Sequence, residues 1–218
     1  MNHRLLIEFS GLPMKAFDIP KLRGAVAKQF PKFDLINNHI ENDRLRYAYP
    51  SIQFKVINNS PLIVGIGDGV DVLKTVFMDI SNLDIDGKNI SINEKSVRLD
   101  TVEFGQINKP VDYRFVLPWM ALNQVNHKTY LSLSWKEKRP FLENILRRNL
   151  KSLSKGFDYF IPDFENLQVQ TNLKTVLRNF KNQKMLCFKG AFTTNFIIPD
   201  YLGIGKQTAR GFGTVVRV

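Results

Sequence analysis

Apolar positions along the chain recur with a period of two in some stretches and of three to four in others, so strands and helices interleave. Arg4 to Phe9 reads as a strand, and Ser10-Gly-Leu-Pro13 turns the chain. Asp18-Ile-Pro20 has the form of a helix start, with Asp as N-cap and proline in the first turn. Leu22, Ala25, Val26 and Phe30 then share one helical face, and Pro31 ends the helix. Residues 34–46 are polar and irregular. Tyr47 to Ile57 predicts a long strand, Asn58-Asn-Ser-Pro61 a turn, and Leu62 to Ile66 the other arm of a hairpin. Gly67-Asp-Gly69 precedes a second amphipathic helix, Val70 to Met78. Two short strands flank an Asp86-Gly87 turn, and Ser96 to Phe104 closes the set. The order β-α-β-β-α-β is ferredoxin-like.

The second half restarts this pattern less regularly. Tyr113 to Trp119 predicts a strand. Trp135 to Leu150 predicts a helix interrupted near Arg139-Pro140. Gln168 to Phe180 and Met185 to Phe196 read as long strands around a Lys181–Lys184 turn, and Thr214 to Val218 as a short last strand. The expected architecture is α+β: tandem ferredoxin-like (RRM-like) domains over residues 1–108 and 109–218, the second irregular.

Charge changes this picture from fold to partner. The chain has 218 residues and a formal charge of +11. Residues 1–108 hold 13 basic and 13 acidic side chains, whereas residues 109–218 hold 18 basic and 7 acidic ones. The whole surplus sits in the second half. That favours a polyanion, because each phosphate contact releases condensed counterions; a solvated basic surface is the plainer reading. No apolar run is long enough for a membrane helix, and none reads as a signal peptide. A single cysteine, Cys187, excludes an internal disulfide, so a cytoplasmic protein with no membrane partner is expected.

Most motif-like stretches fail on inspection. Gly65-Ile-Gly67-Asp-Gly69 has Val70 where a dinucleotide loop needs its third glycine. Gly205-Lys206 is followed by Gln207 rather than the Ser or Thr of a P-loop. Asn82-Leu-Asp84-Ile-Asp86-Gly87 resembles a calcium loop but has Asn93 at the twelfth position. His3, His39 and His127 show no metal-ligand spacing with the one cysteine, so no metal and no cofactor is expected.

The distinctive segment is the last: Gly203-Ile-Gly205-Lys-Gln-Thr-Ala-Arg210-Gly211-Phe-Gly213. Four glycines let a backbone approach another chain closely, and Lys206, Gln207, Thr208 and Arg210 supply donors for phosphates. Phe212 either stacks on a base or packs under the loop. The spacing G-x-G-x5-G-F-G resembles the signature loop of the CRISPR repeat-RNA processing endoribonucleases, family six of the CRISPR-associated proteins. Thr194-Asn-Phe-Ile-Ile-Pro-Asp-Tyr-Leu-Gly203 leads into it as in one subgroup. Leu22-Arg-Gly24-Ala, Asn38-His39 and Tyr47-Ala-Tyr-Pro50-Ser-Ile-Gln-Phe-Lys55 are similar to that subgroup too.

The resemblance implies a metal-independent endoribonuclease that cuts repeat precursor RNA into guide RNAs. The 2′-hydroxyl attacks, leaving a 2′,3′-cyclic phosphate and a 5′-hydroxyl. That chemistry needs a base, an acid and cations for the phosphorane charge. His39 is the candidate acid–base residue. Tyr47 or a lysine is its partner, since Asn37 stands where the subgroup often has a second histidine. Arg44 and Arg46 would stabilise charge or orient the phosphate. RNA binding falls to Lys206, Gln207, Thr208 and Arg210, with Arg147, Arg148 and Lys151 as a groove or a solvated face. Expected partners are the precursor and the processed guide RNA, with other CRISPR-associated proteins or a second copy of the chain left open. The competing reading is a catalytically silent RNA-binding module of the same fold.

Overall fold

A computed structural model describes the backbone of residues 2–37, 39–40, 44–45 and 49–218 and the side chains of 3–36 and 49–218. Contacts divide the chain into two units: Met1–Val102 with Ala209–Gly211, and Glu103–Thr208 with Phe212–Val218. The cut falls in the turn before a strand that begins at Gly105, so the change of charge near residue 108 lies inside that strand.

The first unit contains β1 (Asn2–Glu8), α1 (Ile19–Gln29), the short α2 (Asp34–Asn37), and the two-residue strands β2 (His39–Ile40) and β3 (Arg44–Leu45). β4 (Ile52–Ile57), β5 (Ser60–Ile66), α3 (Gly69–Asp79), β6 (Asn82–Ile85), β7 (Lys88–Ser91) and β8 (Ser96–Val102) follow. The sheet order β4-β5-β1-β8, antiparallel throughout, is the ferredoxin-like one. Leu5, Ile7, Phe54, Val56 and Ile63 line the sheet face that receives Leu22 and Val26 of α1 and Leu73 and Val76 of α3. Each such side chain gains about 1.5–3 kcal/mol by leaving water. The β6–β7 hairpin forms its own sheet. Its acidic residues, including those of the calcium-like stretch, pair with α1: Lys28 with Asp84 at 2.8 Å and Lys21 with Asp86 at 2.7 Å.

The other face of the first sheet is closed over β4, β5 and β1, though not over β8. Gln53 and Lys55 alternate with the core residues of β4, yet both are fully buried, as are Leu6, Leu62, Val64 and Ile66. The Lys55 ammonium donates to Gln53 Oε1 at 2.8 Å, and Gln53 Nε2 donates to the Pro50 carbonyl. Burial pulls the Lys55 pKa down from 10.5 to about 7.

The second unit contains β9 (Gly105–Phe115), α4 (Gln124–Ser132), α5 (Trp135–Lys155), β10 (Val169–Phe180), β11 (Gln183–Ile197) and β12 (Val215–Arg217). Its sheet order, β10-β11-β9-β12, repeats the ferredoxin-like arrangement. Between β11 and β12 the second helix is replaced by a loop with one 3₁₀ turn, which is the irregularity the sequence suggested. Two details differ from the sequence reading. The polar stretch after Asn123 is a helix, α4, capped by the Asn123 side chain on the Asn126 N–H. α5 runs unbroken through Pro140: the proline forfeits its own N–H bond one turn beyond the helix start, and the buried leucine and isoleucine stripe downstream holds the helix together despite that loss. A Ser134–Glu137 capping box fixes that start, and Leu142, Ile145, Leu146, Leu150 and Leu153 form the buried stripe. Among the described residues no helix is long and apolar enough to cross a membrane.

Candidate nucleic-acid interface

Strand alternation sorts the charges of the second unit. β9, β10 and β11 turn Val111, Tyr113, Phe115, Thr171, Phe188 and Phe192 toward α4 and α5. The opposite face then carries Arg114, Lys174, Arg178 and Lys189 against one acid, Asp112, which accepts from Thr193. Lys174 lies directly opposite Lys189 in the β10–β11 register. Like charges so placed destabilise a sheet, a cost that a bound polyanion removes. Cys187 sits on this face too, buried; burial pushes its thiol up to about 11, with Arg178 pulling the other way. The four cations were not singled out from sequence. That Lys174 and Arg178 share one face of β10 was visible there, but the pairing of Lys174 with Lys189 needs the hairpin register.

The hairpin ends in a two-residue turn, Lys181-Asn182, with both residues at positive φ. Phe180 at its tip meets Phe212 of the glycine-rich loop edge to face, with centroids 5.7 Å apart. So Phe212 packs, in part, on its own chain. The glycines of the loop have an internal reason as well. Gly205 has φ +90, and a Cβ there would stand 2.5 Å from Trp119 Nε1. Gly213 has φ +68, and a Cβ there would collide with the Ile204 carbonyl. The N–H groups of Ile204, Lys206, Phe212 and Gly213 are spent on Gly213, Met120, Gln207 and Pro118 carbonyls. The close approach these glycines permit is therefore, in the chain itself, a fold of the loop upon its own strands.

This yields a paired prediction. Gly213→Ala should cost about 3 kcal/mol or more, because the left-handed backbone and the carbonyl collision both oppose the methyl. Gly24→Ala, in the exposed middle of α1 with nothing within 4 Å of the new Cβ, should instead stabilise by about 1 kcal/mol. Thermal melts of the two variants against the parent check both signs.

Lys206 and Gln207 are exposed and line a cavity of about 760 Å³ with Phe180, Lys184 and His127. His127, which carries no role in the sequence reading, thus shares a concavity with two candidate RNA contacts. Thr208 is buried. Arg210 belongs to the first unit, close enough to Arg23 of α1 to act on it. The Arg23 guanidinium sits below the ordinary arginine range, by burial first and by the Arg210 charge second. On α5, Arg147 donates to the Phe164 and Glu165 carbonyls at 2.7 and 3.1 Å and stacks on Phe164, fastening the loop after the helix. Lys151 also covers the Phe164 ring, while Arg148 is exposed. The Asn37, His39 and Arg44 side chains, and Arg46 and Tyr47 entirely, lie outside the described residues. His3 is exposed on β1.

Comparison with known proteins covers both units. Residues 3–103 match the Cas6b N-terminal domain family and residues 105–218 the Cas6b C-terminal domain family. A crystal structure of Cas6b is 40% identical, aligns over 100% of both chains and superposes with a TM-score of 0.93. A crystal structure of a CRISPR RNA processing endoribonuclease, Cas6b, is 38% identical over 100% of both chains, with a TM-score of 0.81. An uncharacterized protein, MJ0978 of Methanocaldococcus jannaschii, is 34% identical over 143 residues, which are 66% of this chain and 97% of that protein.

Proposed function

The chain belongs to the Cas6b family in both of its domains, and from that premise we propose that it is an endoribonuclease that cuts CRISPR precursor RNA within its repeats, without a metal ion. What carries this reading is the likeness, along the whole chain, to a CRISPR RNA processing endoribonuclease. The cationic face of the second sheet supports it, because it offers a phosphate backbone four side chains at strand spacing.

In the proposed reaction the 2′-hydroxyl beside the scissile phosphate loses its proton to a base and attacks phosphorus. The bond to the 5′-oxygen breaks, and an acid supplies the proton that oxygen needs. The products are a 2′,3′-cyclic phosphate and a 5′-hydroxyl. His39 takes one of the two proton transfers, with Tyr47 or a lysine as partner, and arginines from the 44–46 stretch steady the phosphorane charge. Arg114, Lys174, Lys189, Lys206 and Arg210 hold the RNA by its phosphates, and Gln207 adds a neutral donor; Thr208, expected from the sequence to do the same, is buried and has no open path to a phosphate.

The test is a repeat transcript incubated with the protein in EDTA, with the ends of the products analysed. Cleavage leaving cyclic phosphate ends is expected, as is an intact but still bound transcript when the scissile nucleotide carries 2′-deoxyribose. Cleavage that requires an added divalent ion, or that survives the 2′-deoxy substitution, overturns the mechanism. Salt-sensitive binding of every repeat with no cleavage would instead identify a silent binding module.

A further inference from the structure

α5 opens on an aromatic side chain that the fold does not use. Trp135 is its first residue, and 79% of it is exposed. The chain's other tryptophan, Trp119, is fully buried and donates to Asn149. The Ser134–Glu137 capping box holds the first turn in place, so Trp135 is presented from a rigid element. Phe17 and Phe160 are exposed as well, but of these three rings it is Trp135 that lines a groove, and an exposed indole beside a concavity marks a surface for a partner.

The chemistry around Trp135 says which partner. Trp135, Lys138 and Arg139 form one wall of a groove of about 620 Å³ whose other wall is strand β10, with Gln170 and Asn172. Lys136 stands 5.6 Å from the Trp135 ring centroid, and Lys138 stands 5.1 Å from that of Tyr130 at the groove floor. Arg139 is balanced by Glu143, so the unbalanced charge of the wall is that of Lys138, with Lys136 beside the Trp135 ring. Glu143 also accepts from the Thr171 N–H, which closes the β10 edge at that point and leaves the groove to side chains. Gln170 and Asn172 fall in the same alternation as Lys174, on the cationic face of the sheet. The groove therefore continues that face over the edge of β10.

A largely exposed indole with a flexible ammonium over one face, a second lysine nearby and amides opposite match a single strand of nucleic acid, whose bases stack without sequence demand and whose phosphates pair with the cations. We propose that the groove between the first turns of α5 and strand β10 receives unpaired RNA flanking the segment that is cut, with one base stacked on Trp135. This rests on the RNA-processing reading above and adds a second place of contact to it. Because the groove is lined by neither the residues assigned to proton transfer nor those of the glycine-rich loop, Trp135 contributes to affinity and not to the chemical step.

Two tryptophans, one buried and one exposed, make the test direct. Wild-type protein and Trp135→Ala would be titrated with the repeat RNA alone and with the same repeat carrying a short unpaired extension. Tryptophan emission, affinity and single-turnover cleavage would be followed together, and a melting curve would confirm that the variant is folded. The extended RNA is expected to quench the wild-type emission. Trp135→Ala should weaken binding of the extended RNA roughly ten- to a hundredfold, as for one lost base stack. Affinity for the bare repeat, and the cleavage rate at saturating RNA, should be unchanged. Equal affinity of the two proteins for the extended RNA overturns the proposal, as does unquenched emission; with wild-type cleavage intact, the enzyme reading survives either result. A wild-type dimer that falls to monomer in Trp135→Ala, with RNA affinity unaltered, assigns the face to a second copy and overturns it too. Wild-type protein that neither binds nor cuts any repeat sinks both proposals together.

Discussion

Replacing His39 by alanine is expected to lower the single-turnover rate of repeat cleavage by about a hundred- to ten-thousandfold while leaving RNA affinity within a factor of about two. The range is that of a lost proton transfer in the transition state. The binding surface assigned above lies on other residues, so affinity should hold. An imidazole is suited to this work because its ordinary pKa, about 6.5, leaves both protonation states populated near neutrality. If His39 is the base, the rate rises with pH through that region and levels off; if it is the acid, the rate falls. Either limb should vanish in His39→Ala. His127→Ala is the control, since His127 shares a cavity with Lys206 and Gln207. Loss of cleavage in His127→Ala with His39→Ala still active would move the proton transfer to the second unit and displace His39 from the mechanism.

What could be read from the chain beforehand follows from how each element declares itself. α1 was legible because Asp18-Ile-Pro20 starts it and Leu22, Ala25 and Val26 repeat at helical spacing. α4 was not, because Tyr130 is its one buried residue and Val125 and Leu131 point to solvent, so it has no apolar stripe to betray it. α5 read as broken because proline is penalised in helix interiors, and what carries the helix past Pro140 is the packing of Leu142, Ile145, Leu146 and Leu150, which a local propensity does not weigh. The glycine-rich loop stood out in sequence, but the same glycines satisfy two demands that sequence cannot separate. Gly205 and Gly213 admit Trp119 and the Ile204 carbonyl, while Lys206 and Gln207 between them remain open to solvent. The Lys174–Lys189 pair was hidden for a different reason: its residues are fifteen positions apart and meet only through the register of the Lys181-Asn182 turn.

Lys55 was hidden most completely. In Ile52-Gln53-Phe54-Lys55-Val56 the polar residues alternate with apolar ones, the ordinary pattern of a strand with one wet face. The structure buries both faces, and the amine with them. This sets the second large expectation. The Lys55 pKa is about 7 in the folded chain against 10.5 in water. Below pH 7 both folded and unfolded chains hold the proton, and the full cost of the buried charge weighs on the fold. Between pH 7 and 10.5 the unfolded chain binds more protons than the folded one, so this contribution to stability rises with pH. Each unit of displacement is worth about 1.4 kcal/mol, so the cost near neutrality is on the order of 4 kcal/mol. Lys55→Met removes it but leaves the Gln53 carbonyl oxygen without its ammonium donor, which returns about 1–3 kcal/mol. The variant should thus be more stable than the parent by about 1–3 kcal/mol at pH 7 and should lose that advantage by pH 10. Guanidinium titrations at pH 7, 8.5 and 10, with hydrogen exchange of the β4 amides to assign the change to the first unit, would measure the difference. A gap between parent and variant that stays constant across that range would mean the amine is charged or solvated throughout, and the buried neutral lysine would have to be given up. Repeat cleavage by the Lys55→Met protein, assayed beside the parent, would tell whether the reaction depends on this amine.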